Sequence, residues 1–322
     1  MGWVSIVIGD LKIKVMDSDL NRRNFAKRVS LAGAGMAIIP LTCNAGEVTG
    51  KQVNLQKPGN LKISLNAYSF DKPLKAGTMT LDDLLEFCSK TGFEGVDITG
   101  YYFPGYPNVP SDDVIYHVRK KAFRLGVELG CTGVRNDFTW SDPVKREGEK
   151  KLVKEWVVVA HKLGAPGVRI FSGNLSKENF PWDERAGWIA GDIRECADFA
   201  AGYGVMLALQ NHNDFLKTSE QTEKLLNLVN HEWVGLMLDI GSYHTSDPYR
   251  DIAANAKYAI TWQMKEKVFV NETQVETDYN KIIEIVRQCG YPGYLPLETL
   301  GEGDPFVKVR SLLNKVRRVL YG

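Results

Sequence analysis

The sequence predicts a (β/α)8 TIM barrel of the α/β class, folded as a single domain over residues 61–322. In this region eight short apolar runs alternate with longer segments, seven of which are amphipathic. Strict alternation favours a parallel sheet covered by helices, and about 260 residues is a typical length for a closed barrel. An open doubly wound sheet would place a glycine-rich phosphate loop after its first strand. The sequence there reads Tyr68-Ser69-Phe70-Asp71 instead, so the barrel is favoured.

Each strand and helix of this barrel has a local reason in the sequence. Runs that are apolar at nearly every position are typical of strands buried on both faces, and they predict strands at residues 62–69, 95–99, 127–131, 168–171, 204–209, 234–238, 259–264 and 294–297. Amphipathic segments predict helices at residues 80–90, 111–126, 143–163, 184–202, 218–229, 278–288 and 306–320. Thr80 is the predicted N-cap of the first helix, with Asp83 in the capping-box position.

Composition excludes several classes of protein. The chain is 44% hydrophobic and 25% charged, with a net charge of +1. A charge near zero without a basic block argues against a nucleic-acid partner. The five cysteines lie far apart and form no Cys-x-x-Cys pair, so we expect free thiols rather than a zinc finger or redox motif. Disulfide bonds are the alternative if the protein is exported. No apolar run of the mature chain is long enough to cross a membrane.

Residues 1–45 are typical of an export signal. Paired arginines at 22 and 23, Phe25 and Lys27 precede an uncharged stretch that ends in Cys43-Asn44-Ala45. This pattern resembles a twin-arginine signal, which predicts cleavage after Ala45 and a periplasmic protein. A lipoprotein anchor at Cys43 or an amphipathic surface helix fits less well. The first residues do not belong to such a signal, so Met16 is the expected true start. Residues 46–60 read as a linker.

Polar residues stand where several predicted strands end. Gln210 and His212 follow the fifth strand, Asp239 the sixth, and Glu298 the eighth. Because the carboxyl ends of parallel strands meet at one face of a barrel, we expect these side chains to share a site. Carboxylate and amide oxygens suit Mn²⁺, Mg²⁺ or Ca²⁺ better than Zn²⁺. The predicted ligands of one weakly held divalent cation are Gln210, Asp239, Gln263 and Glu298. No motif predicts a nucleotide cofactor.

These segments resemble the xylose isomerase-like sugar phosphate isomerase/epimerase family of TIM barrels, over residues 61–322. Members commonly show Glu-Asn-His at the fifth strand, Asp-x-Gly at the sixth, His-x-Lys-Asp at the seventh and a single Glu at the eighth. The corresponding segments here are Gln210-Asn211-His212, Asp239-Ile240-Gly241, Gln263-Met264-Lys265-Glu266 and Glu298. The resemblance implies an enzyme that enolises a sugar carbonyl with the help of one divalent metal.

Two departures from the family motifs bear on the mechanism. The family's metal-ligating Glu and His are Gln210 and Gln263 here, which makes the site less negative. Gln210 cannot accept a proton, so epimerisation by two opposed bases is disfavoured. One-base chemistry stays open, with Glu298 moving the proton and an ion or Lys265 polarising the carbonyl. A structural ion pair of Lys265 with Asp239 or Glu298 is the alternative.

Several rim residues are predicted to contact a small carbohydrate. His212 is a candidate acid that would protonate a leaving oxygen. The alternative for both His212 and His244 is a structural role at the rim, with a hydrogen bond to a neighbouring loop. Arg169 is expected to bind an anionic group or a hydroxyl of the substrate. The alternative is a salt bridge to Asp97 or Glu128. The predicted substrate-binding residues are Asn211, His244, Arg169, Tyr68, Trp140 and Glu266.

Four functions follow from these features. The first is a sugar isomerase or epimerase. The others are a lyase or hydratase acting on a keto sugar or glycoside, a sugar-binding barrel that has lost its metal, and an endonuclease of DNA repair. The last is disfavoured because the chain has 5 histidines, no basic groove and an export signal. Export favours a free or oxidised sugar or a glycoside over a sugar phosphate. The sequence also allows a homodimer.

Overall fold

The computed structural model describes residues 3–8, 11–16, 61–174 and 179–322. The N-terminal part forms an antiparallel hairpin of β1 (Trp3–Ile8) and β2 (Leu11–Met16), which was not predicted from the sequence. The other residues of the predicted export signal, and the linker over residues 46–60, lie outside the described residues. The signal, its cleavage site and the start at Met16 therefore stay predictions.

Parallel strands form a nearly closed barrel, which confirms the predicted fold. The strand segments after the first hairpin are β3 (Lys62–Asn66), β4 (Gly95–Asp97), β5 (Glu128–Leu129), β6 (Cys131–Gly133), β7 (Gly167–Ile170), β8 (Met206–Gln210), β9 (Val234–Asp239), β10 (Ala259–Lys265), β11 (Lys267–Val270), β12 (Thr273–Glu276) and β13 (Tyr294–Glu298). Of these, β11 and β12 form a separate antiparallel pair, and the other nine belong to the barrel. Their order around the barrel is β5-β4-β3-β13-β10-β9-β8-β7-β6. Because β5 and β6 are consecutive pieces of the third strand, nine segments make eight barrel strands.

Helices cover the outside of this barrel. They are α1 (Asp71–Lys75), α2 (Leu81–Thr91), α3 (Asp112–Leu125), α4 (Pro143–Leu163), α5 (Trp182–Tyr203), α6 (Ser219–Val229), α7 (Pro248–Asn255), α8 (Tyr279–Gln288) and α9 (Pro305–Tyr321). The predicted capping box is confirmed, since Thr80 and Asp83 satisfy each other's backbone N–H groups. The short helices α1 and α7 were not predicted.

A side chain completes the junction between the second and third barrel strands. The N–H of Gly130 donates to the carbonyl of Val96 at 2.9 Å, and the next N–H, of Cys131, donates to Oδ1 of Asp97 at 3.1 Å. A Cβ at position 130 would lie 2.1 Å from that oxygen. The interruption between β5 and β6 therefore needs a glycine, because the Asp97 carboxyl occupies the space beside it.

An unpredicted hairpin, β11–β12, follows the seventh barrel strand. Its two-residue turn is Asn271-Glu272, with φ of 46° and 65°, and Val270 pairs with Thr273. Such turns usually carry Asn-Gly or Asp-Gly. Because this turn has no glycine, it carries no recognisable hairpin signal and could not be predicted.

The core lies between the barrel strands and the helices. Its largest fully buried side chains include Trp156 and Trp262. Cys88, Cys131 and Cys196 are buried free thiols, and Cys289 is a partly buried one, as expected for these four. Within the described residues, no helix combines the length and apolar character that a membrane span requires.

Candidate active site

A cavity of about 310 Å³ opens at the carboxyl ends of the barrel strands. Its volume is that of a small-molecule site. The predicted site residues that line it are Tyr68, Arg169, Gln210, His212, Gln263, Lys265 and Glu298. A second cavity of about 510 Å³ lies beside the hairpin β11–β12 and shares Lys265 and Glu298 with the first. These two side chains therefore border both cavities.

An ammonium group bridges two buried carboxylates at the floor of the first cavity. Nζ of Lys265 lies 3.1 Å from Oδ2 of Asp239 and 2.9 Å from Oε1 of Glu298. The side chains of Asp239 and Glu298 are 0% and 4% exposed, and that of Lys265 is 15% exposed. Strand register produces this cluster, since Lys265 pairs with Glu298 across β10 and β13, and Gln263 with Asp239 across β10 and β9.

Amide groups occupy the remaining positions around the carboxylates. Nε2 of Gln210 donates to Oδ2 of Asp239 at 2.7 Å, and Nε2 of Gln263 donates to Oε2 of Glu298. The N–H of Gly241 donates to Oδ1 of Asp239 at 2.9 Å. All four carboxylate oxygens thus have donors. Oε1 of Gln263 is buried and has no hydrogen-bond partner within the described residues.

The two charged groups that border the cavity shift each other's protonation. Burial raises the pKa of Glu298, the charge of Asp239 raises it further, and Lys265 opposes both. Burial alone would lower the pKa of Lys265, but the carboxylates of Asp239 and Glu298 outweigh it and raise that pKa. Lys265 is therefore an ammonium donor at neutral pH, and Glu298 is moved toward the range in which a carboxyl group exchanges protons with substrates.

A divalent ion does not fit this set of donors. The carboxylate oxygens of Asp239 and Glu298, which would be its anionic ligands, already accept hydrogen bonds from Lys265, two amides and a backbone N–H. The position between the two carboxylates is filled by Nζ of Lys265. Among the described residues, no group of three or more His, Cys, Asp or Glu side chains is arranged to hold a metal. The predicted ligands meet, but as a hydrogen-bonded ion cluster.

Arg169 forms a wall of the cavity at the end of β7. It is 4% exposed. One guanidinium nitrogen donates to the carbonyl of Val134 at 2.7 Å, and another donates to the hydroxyl of Tyr101. The expected alternative, a salt bridge, is absent from the described structure: no ion pair joins Arg169 to Asp97, and Glu128 pairs with a lysine instead.

His212 and Tyr68 border the cavity as predicted. Nδ1 of His212 lies 2.8 Å from Oδ2 of Asp214, a close approach that lacks the angle of a hydrogen bond. Its ring packs edge-on against Phe171, with centroids 5.2 Å apart. Burial raises the pKa of Tyr68, and the charges of Asp71 and Glu298 add to the effect. The Tyr68 hydroxyl is therefore a proton-bearing group at neutral pH.

Two of the predicted substrate-binding residues serve the scaffold instead. Asn211 is fully buried, and its amide holds the backbone of Asp239 through bonds of 2.8 and 3.0 Å. It follows Gln210 on the strand, and successive side chains point to opposite faces. His244 lies 2.6 Å from Glu272 and stacks on Phe269 at 3.7 Å. It is a rim residue bonded to a neighbouring loop, which was the alternative.

Trp140 and Glu266 also lie away from the first cavity. The ring of Trp140 packs under the ammonium of Lys145, at 4.1 Å from the ring centroid. Glu266 pairs with Lys308 at 3.1 Å and borders the second cavity. Both residues follow strands in loops whose direction strand periodicity does not determine, so their placement could not be predicted.

Other lining residues were missed. They are Asn66, Lys75, Thr99, Arg135, Asn136, Phe171, Asn174 and Leu300. Tyr101 also lines the cavity. The amide of Asn136 exchanges two hydrogen bonds with the backbone of Phe171, at 2.7 and 2.9 Å, and so joins the loops after β6 and β7. Asn66 ends β3, and Arg135 and Asn136 follow β6. The signal that located Gln210, polar residues directly after an apolar run, was present at these positions too.

The fold and the cavity define a TIM barrel with a polar site at the carboxyl ends of its strands. Residues 85–318 match the family model described as xylose isomerase-like TIM barrel, and the chain belongs to this family. A search of curated proteins gave no match.

Solved structures share this fold at low sequence identity. D-Psicose 3-epimerase from Clostridium cellulolyticum H10, solved with D-tagatose, is 18% identical, with a TM-score of 0.66 over 81% of this chain and 99% of that one. 3-Keto-D-glucoside 4-epimerase from E. coli is 14% identical, with a TM-score of 0.65 over 80% and 99%. A probable 3-DHS dehydratase from Bacillus anthracis is 18% identical, with a TM-score of 0.61 over 81% and 99%.

Proposed function

We propose that this protein is a carbohydrate-active enzyme of the sugar isomerase or epimerase kind, which moves a proton on a carbon next to a carbonyl group. The observation that carries the proposal is the pairing of Lys265 with Glu298 at 2.9 Å on the floor of a small polar cavity. The site thus holds a fixed proton donor beside a carboxyl group that can exchange protons. Two of the structures that share its fold are sugar epimerases.

The reaction divides between these two side chains. Of the three N–H groups of Lys265, two serve Asp239 and Glu298, which leaves one for a substrate carbonyl oxygen. Glu298 takes the proton from the neighbouring carbon, the C–H electrons form the enediolate, and Lys265 stabilises the negative oxygen. The hydroxyl proton then passes to the former carbonyl oxygen, the hydroxyl oxygen becomes the new carbonyl, and return of the proton from Glu298 to the other carbon completes an aldose–ketose isomerisation on one face. Gln210 cannot act as an opposed second base.

Lys265 takes the place that the family resemblance gave to a divalent ion. Both groups put positive charge beside the substrate oxygen, but the ammonium needs no ligands beyond the two carboxylates that it already contacts. The proposal therefore replaces the expected metal-assisted mechanism with a lysine-assisted one.

A lyase is the second candidate. His212 borders the same cavity as Glu298, on another wall. After Glu298 removes the proton, His212 could donate one to the oxygen that leaves from the β-carbon, which gives an unsaturated ketone. A probable dehydratase shares the fold.

Deuterium incorporation tests the reaction. The full chain is incubated with aldoses, ketoses and keto sugars in D₂O, and the substrates are followed by NMR. We expect deuterium on the carbon next to the carbonyl, with equal rates in the presence of a chelator and of added Mn²⁺. Glu298→Gln should abolish the exchange and leave the fold intact. The matched control is Glu223→Gln, because Glu223 pairs with Lys257 on the surface and lines neither of the two cavities.

Four results would count against the proposal. Exchange that persists in Glu298→Gln would remove Glu298 as the base. Exchange that stops with chelator and returns with Mn²⁺ would restore the metal mechanism. Sugar binding without any exchange would favour the non-catalytic barrel. Loss of a leaving group that depends on His212 would favour the lyase.

We also propose, from the sequence alone, that the protein is exported to the periplasm. Mass spectrometry of the mature N-terminus tests this location, with cleavage after Ala45 as the expected result.

A further inference from the structure

The cavity contains a buried guanidinium that forms no ion pair with the described residues, although the charges of Asp97 and Glu298 act on it from a greater distance. Arg169 is 4% exposed, and its hydrogen bonds go to neutral oxygens, the carbonyl of Val134 and the hydroxyl of Tyr101. Within the described residues no carboxylate lies at ion-pair distance from it. Burying a guanidinium group without a counter-ion is costly, so its retention in a cavity wall calls for an explanation.

The fold holds this guanidinium in place. Its central carbon lies 4.0 Å from the ring centroid of Phe171 and 5.7 Å from that of Tyr101. Gly133 makes room for the side chain, because a Cβ there would lie 3.1 Å from both Cβ and Nε of Arg169. Stacking and hydrogen bonds together fix the plane of the guanidinium, and a fixed plane favours ligands that bind two N–H groups at once.

A second guanidinium borders the same cavity. Arg135 is exposed and lines the cavity, and no ion pair or side-chain hydrogen bond occupies it in the described part of the chain. Its backbone N–H donates to the hydroxyl of Tyr106 at 2.9 Å, which anchors the loop. Lys75 also lines the cavity, but it already pairs with Asp71 at 2.9 Å. The free positive charge is thus concentrated at Arg169 and Arg135.

We infer that the substrate of this site is an acidic sugar, whose carboxylate or phosphate group binds Arg169 with support from Arg135. The inference rests on the proposed function for the reaction, but the charge pattern alone argues for the anion. Hydroxyl groups of a neutral sugar would be bound equally well by amides and other hydroxyls, which are cheaper to bury than a guanidinium. A guanidinium matches carboxylate and phosphate through paired, charge-assisted hydrogen bonds.

Calorimetric titration of the full chain with three probes tests the inference. D-Glucose, D-glucuronate and D-glucose 6-phosphate differ only at carbon 6, so a difference in affinity reports the anion. We expect at least one acid to bind about tenfold or more tightly than D-glucose. The tighter acid shows whether carboxylate or phosphate is the group recognised. Arg169→Gln should remove this preference, so that the acids bind this variant no more tightly than D-glucose does.

Matched variants separate binding from folding. Arg135→Gln should weaken acid binding by about two- to fivefold, since its charge is exposed. Arg124→Gln, a change of an exposed residue in the last turn of α3 that does not line the cavity, should have no effect. Circular dichroism checks that each variant is folded, and Arg169→Lys, which keeps the charge, should retain part of the preference. Acids that bind no better than D-glucose, or a preference that survives Arg169→Gln, would overturn the inference.

The outcomes for the substrate and for the reaction are distinguishable. Acid preference without deuterium exchange would support the acidic ligand and overturn the proposed reaction. Exchange on a neutral sugar, without any preference for acids, would support the reaction and overturn the acidic substrate.

Discussion

Removal of the Lys265 ammonium is the most direct test of the ion cluster. Lys265→Met keeps most of the volume of the side chain and deletes its charge. Asp239 and Glu298, which lie 3.1 and 2.9 Å from Nζ, would then face each other without a cation between them. The amides of Gln210 and Gln263 would remain as donors.

The expected loss of stability follows from the burial of these carboxylates. Removing one partner of a buried ion pair destabilises a protein by about 3–5 kcal/mol. Here one ammonium serves two carboxylates that are 0% and 4% exposed, and their remaining hydrogen bonds keep part of the stabilisation. We therefore expect a loss of about 4 kcal/mol near pH 8, and recovery of roughly half in Lys265→Met/Glu298→Gln, which removes one of the two charges.

The loss should depend on pH in a defined direction. The pKa of Glu298 is already raised by burial, and without Lys265 it rises further. A carboxyl group whose pKa is raised in the folded state contributes stability below its unfolded pKa, and that contribution is lost as the pH rises through the folded value. The free energy of unfolding of Lys265→Met should therefore be closest to that of the wild type at acidic pH, and the difference between them should grow as the pH increases.

Urea unfolding between pH 4 and pH 9, followed by tryptophan fluorescence, measures the free energy of unfolding. Lys257→Met is the matched control, because Lys257 pairs with Glu223 on the surface, where a single pair is worth at most about 1 kcal/mol. Manganese should stabilise Lys265→Met more than the wild type, since the position between the carboxylates becomes free. An unchanged free energy of unfolding, or manganese binding that needs Lys265, would refute the reasoning.

Two further predictions concern the barrel interior. Burial raises the pKa of Asp97 from 3.8 to about 7, so the wild type loses roughly 4 kcal/mol of stability as the pH rises from about 4 to 7. Asp97→Asn should escape this loss and be the more stable protein above pH 7 in urea unfolding; equal curves for both proteins would show that Asp97 is charged at no cost. Gln210→Glu replaces a donor to Asp239 with a third carboxylate, which should cost about 2 kcal/mol in chelator and create a Mn²⁺ site detectable by calorimetry. An unchanged affinity for Mn²⁺ would exclude position 210 from the cluster.

The barrel could be predicted because its signal is local. Most barrel strands are apolar runs that end in a polar residue, and the predicted run 294–297 becomes β13, residues Tyr294–Glu298. The third strand was predicted at 127–131 and observed as β5 and β6. Its break at Gly130 depends on the carboxyl of Asp97, which is distant in the sequence, so no local pattern could show it.

Strand periodicity could have refined the predicted site. Side chains of residues i and i+2 share a face of a strand, so Gln263 and Lys265 point together into the barrel once β10 extends to Lys265. The same rule places Asn211 on the opposite face from Gln210. Strand periodicity therefore indicated both the ion cluster and the scaffold role of Asn211. They could be predicted only with the register of β10 against its neighbouring strands, which the sequence did not show.

The two glutamines are consistent with a lysine in place of a metal ion. A carboxylate that ligates a metal receives positive charge from the ion, whereas Asp239 and Glu298 receive it from Lys265 and from the N–H groups of Gln210 and Gln263. An amide that turns its nitrogen toward a carboxylate leaves its oxygen without a donor. For Gln263 this oxygen is buried and unpaired within the described residues, which costs about 1–3 kcal/mol. Gln263 lines the cavity, so a sugar hydroxyl that donates to Oε1 would recover this energy on binding. The exchange of metal ligands for amides thus supplies the site with an acceptor for hydroxyl groups beside the proton-transfer pair.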